Sequence, residues 1–315
     1  MTADRQIVVL SGGLGGARLA MAAVENGWSD RAAFITNVAD DWEVGSMLIC
    51  PDTDAVIYGL TGRFDHERGW GVAGDVFPGS RPGEPPWFGI GNIDRRHHER
   101  RTRLVAEGAP LSKATRAMTR SCKALVTPVT DDQVRSMIRV GHRWRIFQEW
   151  LIHDHAAQPD EIRWDGIEAA SPALGVIDLI ERADTVVIAS SSPIASIGPI
   201  LAVSGLTDAL LRRSGRVIAL SPISSRPMTS QRDERRALAR SRLMRVRGLE
   251  HAPLAVLDWL APLVTHFAVD EHDAHLVPQI EERGVTPMVF PVLGLDASQR
   301  ESIGNELFAQ RVRHR

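Results

Sequence analysis

Short apolar runs rich in β-branched residues recur along the chain, separated by stretches whose apolar positions repeat every three to four residues. The runs are Ile7 to Leu10, Ala33 to Thr36, Ala124 to Thr127, Thr185 to Ile188, Arg216 to Leu220, Thr265 to Val269 and Val285 to Phe290. Runs of this kind read as strands buried on both faces, and helices between them predict a largely parallel sheet with covering helices. Helical periodicity falls near 17–26, 53–61, 94–107, 112–121, 174–183, 207–213, 232–247, 254–261, 274–283 and 299–311. Ser298 and Glu301 carry the spacing of a reciprocal capping box and predict the start of the last helix. The expected class is α/β: a mostly parallel sheet with helices on both faces, plus a smaller irregular subdomain.

Residues 62–93 break the periodicity with eight glycines and four prolines. So long an irregular segment in a compact domain is functional or disordered, and its aromatic residues argue against disorder. Further on, "RWRIFQEWLIHD" reads as a strand or hairpin, and Asp131-Asp132 as a helix N-terminus. We expect one domain over residues 1–315, with 62–168 an insertion or subdomain covering the active site.

Composition narrows the classes. The chain has 315 residues, 43% hydrophobic and 24% charged, ordinary for a soluble globular protein. It has no apolar run of about 18 residues and no signal-peptide layout, so a cytoplasmic setting without membrane insertion is expected. A net charge of −2 gives no global attraction to nucleic acid or anionic lipid. Cys50 and Cys122 supply neither a disulfide framework nor zinc spacing. The pairs His97/His98, His153/His155 and His272/His275 match no zinc motif and read as surface or core histidines.

The sharpest local signal is "VVLSGGLGGARLAMAAV", a strand, a glycine run and a helix. Bare amides beside the positive end of a helix suit a phosphate. The pattern lacks the GxxxxGK[ST] of a Walker loop. A redox dinucleotide fold would place an acid where the second strand ends in Thr36-Asn37, so that class fits poorly as well. Asp40 and Asp41 follow at the carboxyl end of the sheet and Asp52 and Asp54 open the next predicted helix; carboxylates converging beside a phosphate call for a hard cation such as Mg²⁺. Ser190, Ser191 and Ser192 end another strand, and Ser221-Pro222 a third, without a GxSxG elbow for a hydrolase. "RDERRALARSRLMRVR" reads as a solvated amphipathic helix, with a phosphate-binding arginine as the alternative.

Taken in order, "LSGGLGGARLA", "NVADD", "CPDTDAVIYGL", "RGWG", "WFGIGNID", "PVTDD", "FQEW", "SSSPIASIGPILAVSGL" and "SPI" resemble the 2-phospho-L-lactate transferase family, the CofD/FbiA group. The resemblance implies a Rossmann-like core and a Mg²⁺-dependent transferase of coenzyme F420 biosynthesis. Such an enzyme moves a phospho-three-carbon-acid unit, such as 2-phospholactate or phosphoenolpyruvate, from a GDP-linked donor to the hydroxyl of the deazaflavin Fo, releasing GMP. It further implies nucleotide binding by Gly12, Gly13, Gly15, Gly16, Arg18, Ser221 and Pro222. Asp40, Asp41 and Asp52 would be catalytic and metal-ligating. Asp52, Asp54, Asn92, Ile93, Ser191 and Ser192 would meet the acceptor, in a homodimer. Departures fall at Gly91-Asn92-Ile93-Asp94, where the family usually reads GDRD, and at Ser190-Ser191-Ser192-Pro193, where it usually reads PSNP. Ala39 stands where glycine is usual, and "SSRPMTSQRDE" replaces a lysine-bearing stretch. Two alternatives therefore stay open: a paralogue with another acceptor, and a non-catalytic nucleotide-sugar-binding regulator.

Overall fold

The computed structural model describes residues 6–228 and 230–308. The chain opens with β1 (Ile7–Ser11), α1 (Gly13–Glu25) and β2 (Ala32–Thr36), then a hairpin of β3 (Trp42–Val44) and β4 (Met47–Ile49) leading into α2 (Pro51–Leu60). A long loop precedes α3 (Asn92–Ala106), α4 (Leu111–Met118) and β5 (Leu125–Pro128). Strands β6 (Arg135–Val140), β7 (Arg143–Ile146) and β8 (Glu161–Asp165) form a separate antiparallel sheet in the order β7-β6-β8. The second half runs α5 (Val176–Arg182), β9 (Thr185–Ile188), α6 (Gly198–Ala202), α7 (Leu206–Arg212), β10 (Arg216–Leu220), α8 (Gln231–Val246) and α9 (Pro253–Leu260). It ends with β11 (His266–Val269), α10 (Val277–Glu282), β12 (Thr286–Val289) and α11 (Ala297–Phe308).

Seven strands make one parallel sheet in the order β12-β11-β10-β9-β1-β2-β5. All seven predicted runs are in it. Because both faces carry helices, successive residues of one strand enter different cores: Val8 and Leu10 pack in one apolar cluster, Ile7 and Val9 in the other. The chain winds outward from β1 through β2 to β5, returns to β9 beside β1, and winds outward the other way. The connections leaving β1 and β9 therefore diverge, and the crevice they open at the carboxyl ends of these two strands is where ligands of open α/β sheets bind.

Several local expectations change. The helix predicted from residue 17 begins at Gly13, so the glycine run is the first turn of α1 rather than a loop before it. No helix starts at Asp131-Asp132; Asp131 accepts hydrogen bonds from the amide and hydroxyl of Ser112 in the first turn of α4, and Asp132 accepts from Ser171 N. The capping box at Ser298 and Glu301 is not the one used. Asp296 accepts from Gln299 N, while Gln299 Oε1 accepts from Leu295 N, a reciprocal pair two residues earlier. Of the helix predicted over 299–311, residues 309–311 lie outside the described residues.

"RWRIFQEWLIHD" supplies β7 and then a π-helical turn over Glu149–His153. The stretch 62–168 is not one continuous insertion, because β5 returns to the main sheet within it. Its first part, up to α3, is an ordered cover: residues Phe64 and Val72 pair as an antiparallel bridge, and Trp87 stacks on Trp42 of β3 with centroids 5.5 Å apart. No single helix among the described residues is long and apolar enough to cross a membrane.

Candidate active site

The loops after β1, β2 and β9 meet over the crevice around Asp52, in the first turn of α2. Asn37, just past β2, donates from Nδ2 to Asp52 Oδ2 (2.8 Å) and to Ala195 O (3.1 Å), and accepts from Ala39 N. Thus the position where a dinucleotide fold would carry a ribose-binding acid holds an amide that aims a carboxylate. Ser196 and the Gly13 amide also bond to Asp52. Ser191 clasps Gly12: its hydroxyl donates to Gly12 O (2.7 Å) and accepts from Gly12 N (3.1 Å).

These contacts explain the glycines. A Cβ on Gly12 would strike the Asp52 carboxylate and lie 2.7 Å from Ser196 Cβ, and one on Gly15 would lie 2.5 Å from the carbonyl oxygen of Ser190. At Gly13 the backbone takes φ +52°, which side chains disfavour. Closeness to the chain's own loops accounts for the bare backbone at Gly12 and Gly15. By helix geometry the amides of Leu14 and Gly15 have no acceptor within α1 and remain as donors.

A cavity of about 580 Å³ opens here. Gly12, Gly13, Gly15, Arg18, Asp40 and Asp52 line it. Asp54, Ser191, Ser192 and Pro222 line it as well. Five of the expected residues do not. A Cβ on Gly16 would lie 3.0 Å from Ser11 Cβ and Val56 Cγ2. Asp41 is buried beside Cys50, whose thiol hydrogen-bonds to it. Ser221 is fully buried and closes its own turn, donating to Ile223 O and accepting from Ile223 N. Asn92 and Ile93 begin α3, with the Ile93 and Asp94 amides held by Asp75 (2.7 and 2.9 Å). In that helix Asp94 and His98, one turn apart, both line the cavity; Ile93 packs against the apolar cluster around α1 and α2 instead.

Asp40 and Asp52 are short of positive charge. Burial, then the neighbouring Asp52, pushes Asp40 well above the usual carboxylate range; Gln148 donates to its Oδ2 (2.7 Å), while its Oδ1 is buried without a hydrogen-bond partner. Burial pushes Asp52 up to about 6 against the pull of Asn37, Ser196 and Gly13, and Asp41 up to about 8. Asp54 is the opposite case. Burial alone would raise it, but Arg101 and His97 outweigh burial and hold it well below its ordinary range. His98, between Asp54 (3.4 Å) and Asp94 (3.2 Å), is pushed up to about 9 by them despite its burial, and the Tyr58 hydroxyl donates to Asp94.

Sequence reasoning missed Gln148, His98 and Asp94, and held a cavity-facing arginine of α8 only as the alternative to a solvated helix. "FQEW" was the signal for Gln148 and the Asp94/His98 spacing of four for the pair. Arg236 and Arg240 line the cavity beside Arg18, and burial depresses each of the three to about 10, helped by Arg236 at Arg18 and Arg240 and by Arg232 at Arg236. Trp70, Trp87, Phe88 and Phe147 supply an aromatic part of the wall.

The profile of the family described as 2-phospho-L-lactate transferase CofD matches residues 7–288. The chain belongs to the 2-phospho-L-lactate transferase CofD family. Among similar proteins, a phosphoenolpyruvate transferase of Kitasatospora aureofaciens is 33% identical over 98% of this chain and 99% of its own length. Another from Streptomyces coelicolor is 33% identical over 96% of each chain, and one from Nocardia farcinica 38% over 73% and 74%. The crystal structure of a UPF0052 family member from Bacillus halodurans superposes with a TM-score of 0.60 at 12% identity, covering 98% of this chain and 99% of that one, which shows a shared fold. Like other members of its family the chain is a transferase.

The ionisable groups of this CofD-family site set a pH dependence. Asp41 and His98 have native pKa values of about 8 and 9, above those of an unfolded chain, so between pH 6.5 and 8.5 the folded state holds more protons than the unfolded one. Stability then falls as pH rises. His251, depressed to about 4 by burial and Arg240, works against this trend only below pH 6.5 or so. We expect the melting temperature of the ligand-free protein to fall steadily from pH 6.5 to 8.5; a flat or rising profile in scanning calorimetry contradicts the assigned charge states.

Proposed function

We propose that the chain transfers a phospho-three-carbon-acid unit from a GDP-linked donor to the hydroxyl of the deazaflavin Fo, releasing GMP, in coenzyme F420 biosynthesis. Its relatives' names favour the phosphoenolpyruvyl unit over 2-phospholactate. The observation that carries the reading is one cavity in which the first turn of α1, the Asp40/Asp52 pair and the arginines Arg18, Arg236 and Arg240 come together in a chain of this family. The Asp40/Asp52 pair and the arginines share that cavity without neutralising one another: no arginine of the cavity is among the charges acting on Asp40 or Asp52. A ligand bearing phosphate, accompanied by a cation, satisfies both.

Mg²⁺ fits the pair by its chemistry. The unpartnered buried Asp40 Oδ1 and the repulsion from Asp52 are the marks of a carboxylate pair short of a hard cation. Among the described residues no cluster of three or more acidic, histidine or cysteine side chains forms a cage, and Asp41 does not join. Two carboxylates suffice when phosphate oxygens complete the shell. When bound, Mg²⁺ offsets charge on the phosphoryl oxygens and the leaving group. Asp40 and Asp52 would hold it, oriented by Gln148 and Asn37, while the free amides of α1 face phosphate.

The acceptor hydroxyl oxygen bonds to the phosphorus carrying the acid, the phosphoanhydride bond to GMP breaks, GMP keeps the electron pair, and the hydroxyl proton is released to water. Asp54 and Ser192 are assigned to the hydroxyl, and Trp87, Phe88 and Phe147 to the flat deazaflavin ring. The departures Asn92 and Ile93 lie outside the cavity lining. Purified protein given Fo, Mg²⁺ and either GDP-linked donor should yield GMP and the tailed deazaflavin by mass spectrometry. No product with either donor overturns the assignment.

A further inference from the structure

Helix α8 presents Arg236 and Arg240, one turn apart, to the same cavity that Arg18 of α1 lines. The groups that act on them do not balance their charge. Arg18 is opposed by Arg236, Arg232 and Arg300 and favoured by Asp233 alone. Asp233 stands 3.9 Å from Arg236 Nη1, beyond hydrogen-bond reach, and its Oδ2 takes the Ser230 hydroxyl. Nη1 of Arg236 is buried without a hydrogen-bond partner. Arg240 donates through Nε to His251 Nε2 (3.1 Å), a neutral imidazole that fixes the head of the arginine without cancelling its charge.

A purely structural task explains only part of this set. Arg232 donates to the carbonyls of His66 and Glu67, and Arg236 Nη2 to that of Gly69 (2.9 Å), so α8 fastens the loop that covers the cavity. That leaves Arg236 Nη1, the guanidinium face of Arg240 and Arg18 without such a role. Like charges gathered in a partly dry cavity cost stability, and such a cost is kept where function requires it.

We propose that Arg236 and Arg240, together with Arg18, form an anion subsite that grips the diphosphate of the donor nucleotide through their guanidinium forks. Planar guanidinium groups match phosphate oxygens two at a time, which an ammonium cannot do. The inference rests on the donor-nucleotide reading of the cavity and names which side chains hold the diphosphate.

The test uses the full chain and titration calorimetry with inorganic pyrophosphate, then GDP with Mg²⁺, then uncharged guanosine. Wild-type protein should bind pyrophosphate, and Arg240→Gln should bind it at least about tenfold more weakly, a loss expected for one charged hydrogen-bonded contact. Arg240→Lys should recover part of that affinity, and guanosine binding should be the same in all three proteins. Because the substitution removes an unneutralised cation, Arg240→Gln should melt no lower than wild type. Should Arg240→Gln fail to fold, Arg236→Gln takes its place with the same expectation. No pyrophosphate binding by wild type, or equal binding by a folded glutamine variant, overturns the subsite. Binding of pyrophosphate but not GDP leaves the subsite standing and removes the guanosine donor.

Discussion

Replacing Asp52 with asparagine should lower the rate of GMP release about a thousandfold while leaving the protein folded. The expected loss follows from its place: Asp52 is one of two carboxylates assigned to the cation, and a metal's charge stabilisation is worth several kcal/mol, or about three powers of ten. The structural side of the substitution is mild. Asparagine has the same shape; its carbonyl oxygen can still accept from Asn37 or Gly13 and its amide can donate to the Ser196 hydroxyl, leaving one of the three present donors short of a partner at about 1 to 2 kcal/mol. Against that, the substitution removes a buried charge that Asp40 opposes. Melting temperature should therefore stay within a few degrees of wild type. A variant that keeps more than about a tenth of the wild-type rate under saturating Mg²⁺ removes Asp52 from the catalytic set.

The sheet was legible because its strands are buried on both faces: "IVVL", "TVVI" and "RVIAL" leave no polar alternation to confuse with a helix, and each is a strand of the sheet. The crevice was legible for the same reason, since strand ends locate it. What pattern could not supply was direction and partnership. Asp40 and Asp41 are neighbours in sequence and chemically identical, yet one lines the cavity and the other pairs with Cys50, in a loop without periodicity to tell them apart. Ser221 and Pro222 divide likewise. Asn92 and Ile93 drew attention as departures from a motif, whereas the helix they begin carries its cavity-facing side chains at Asp94 and His98. Charged residues of α8 have little apolar periodicity to orient them, so an arginine facing the cavity reads the same as one facing water. The glycine run marks the crevice in the sequence, but the reason for it lies in distant loops: Gly12 and Gly15 are bare because Asp52, Ser196 and Ser190 sit against them.

Exchanging Arg101 for methionine should be the most damaging single change to stability near the site, costing about 3 to 5 kcal/mol. Arg101 is fully buried, bonded through Nη2 to Asp54 and through Nη1 to Leu48 O (3.2 Å). Methionine fills comparable space, so packing is largely kept. The damage comes from Asp54, left in a dry interior with only His97 and His98 to balance it while His98 is shared with Asp94. Acid stability should change in step. In wild type the depressed Asp54 contributes stability above about pH 4 that is lost as pH falls through its native pKa. In the variant Asp54 holds its proton more readily, so the melting temperature should depend less on pH on the acid side. Adding Asp54→Asn to the variant should recover most of the loss, because a pair replaced together leaves no buried charge alone. If the double variant is no more stable than Arg101→Met, the ion pair is not what the arginine contributes. Asp54, Asp94 and His98 line the cavity, so the same single change should disturb the wall assigned to the acceptor hydroxyl and raise KM for the acceptor more than for the donor.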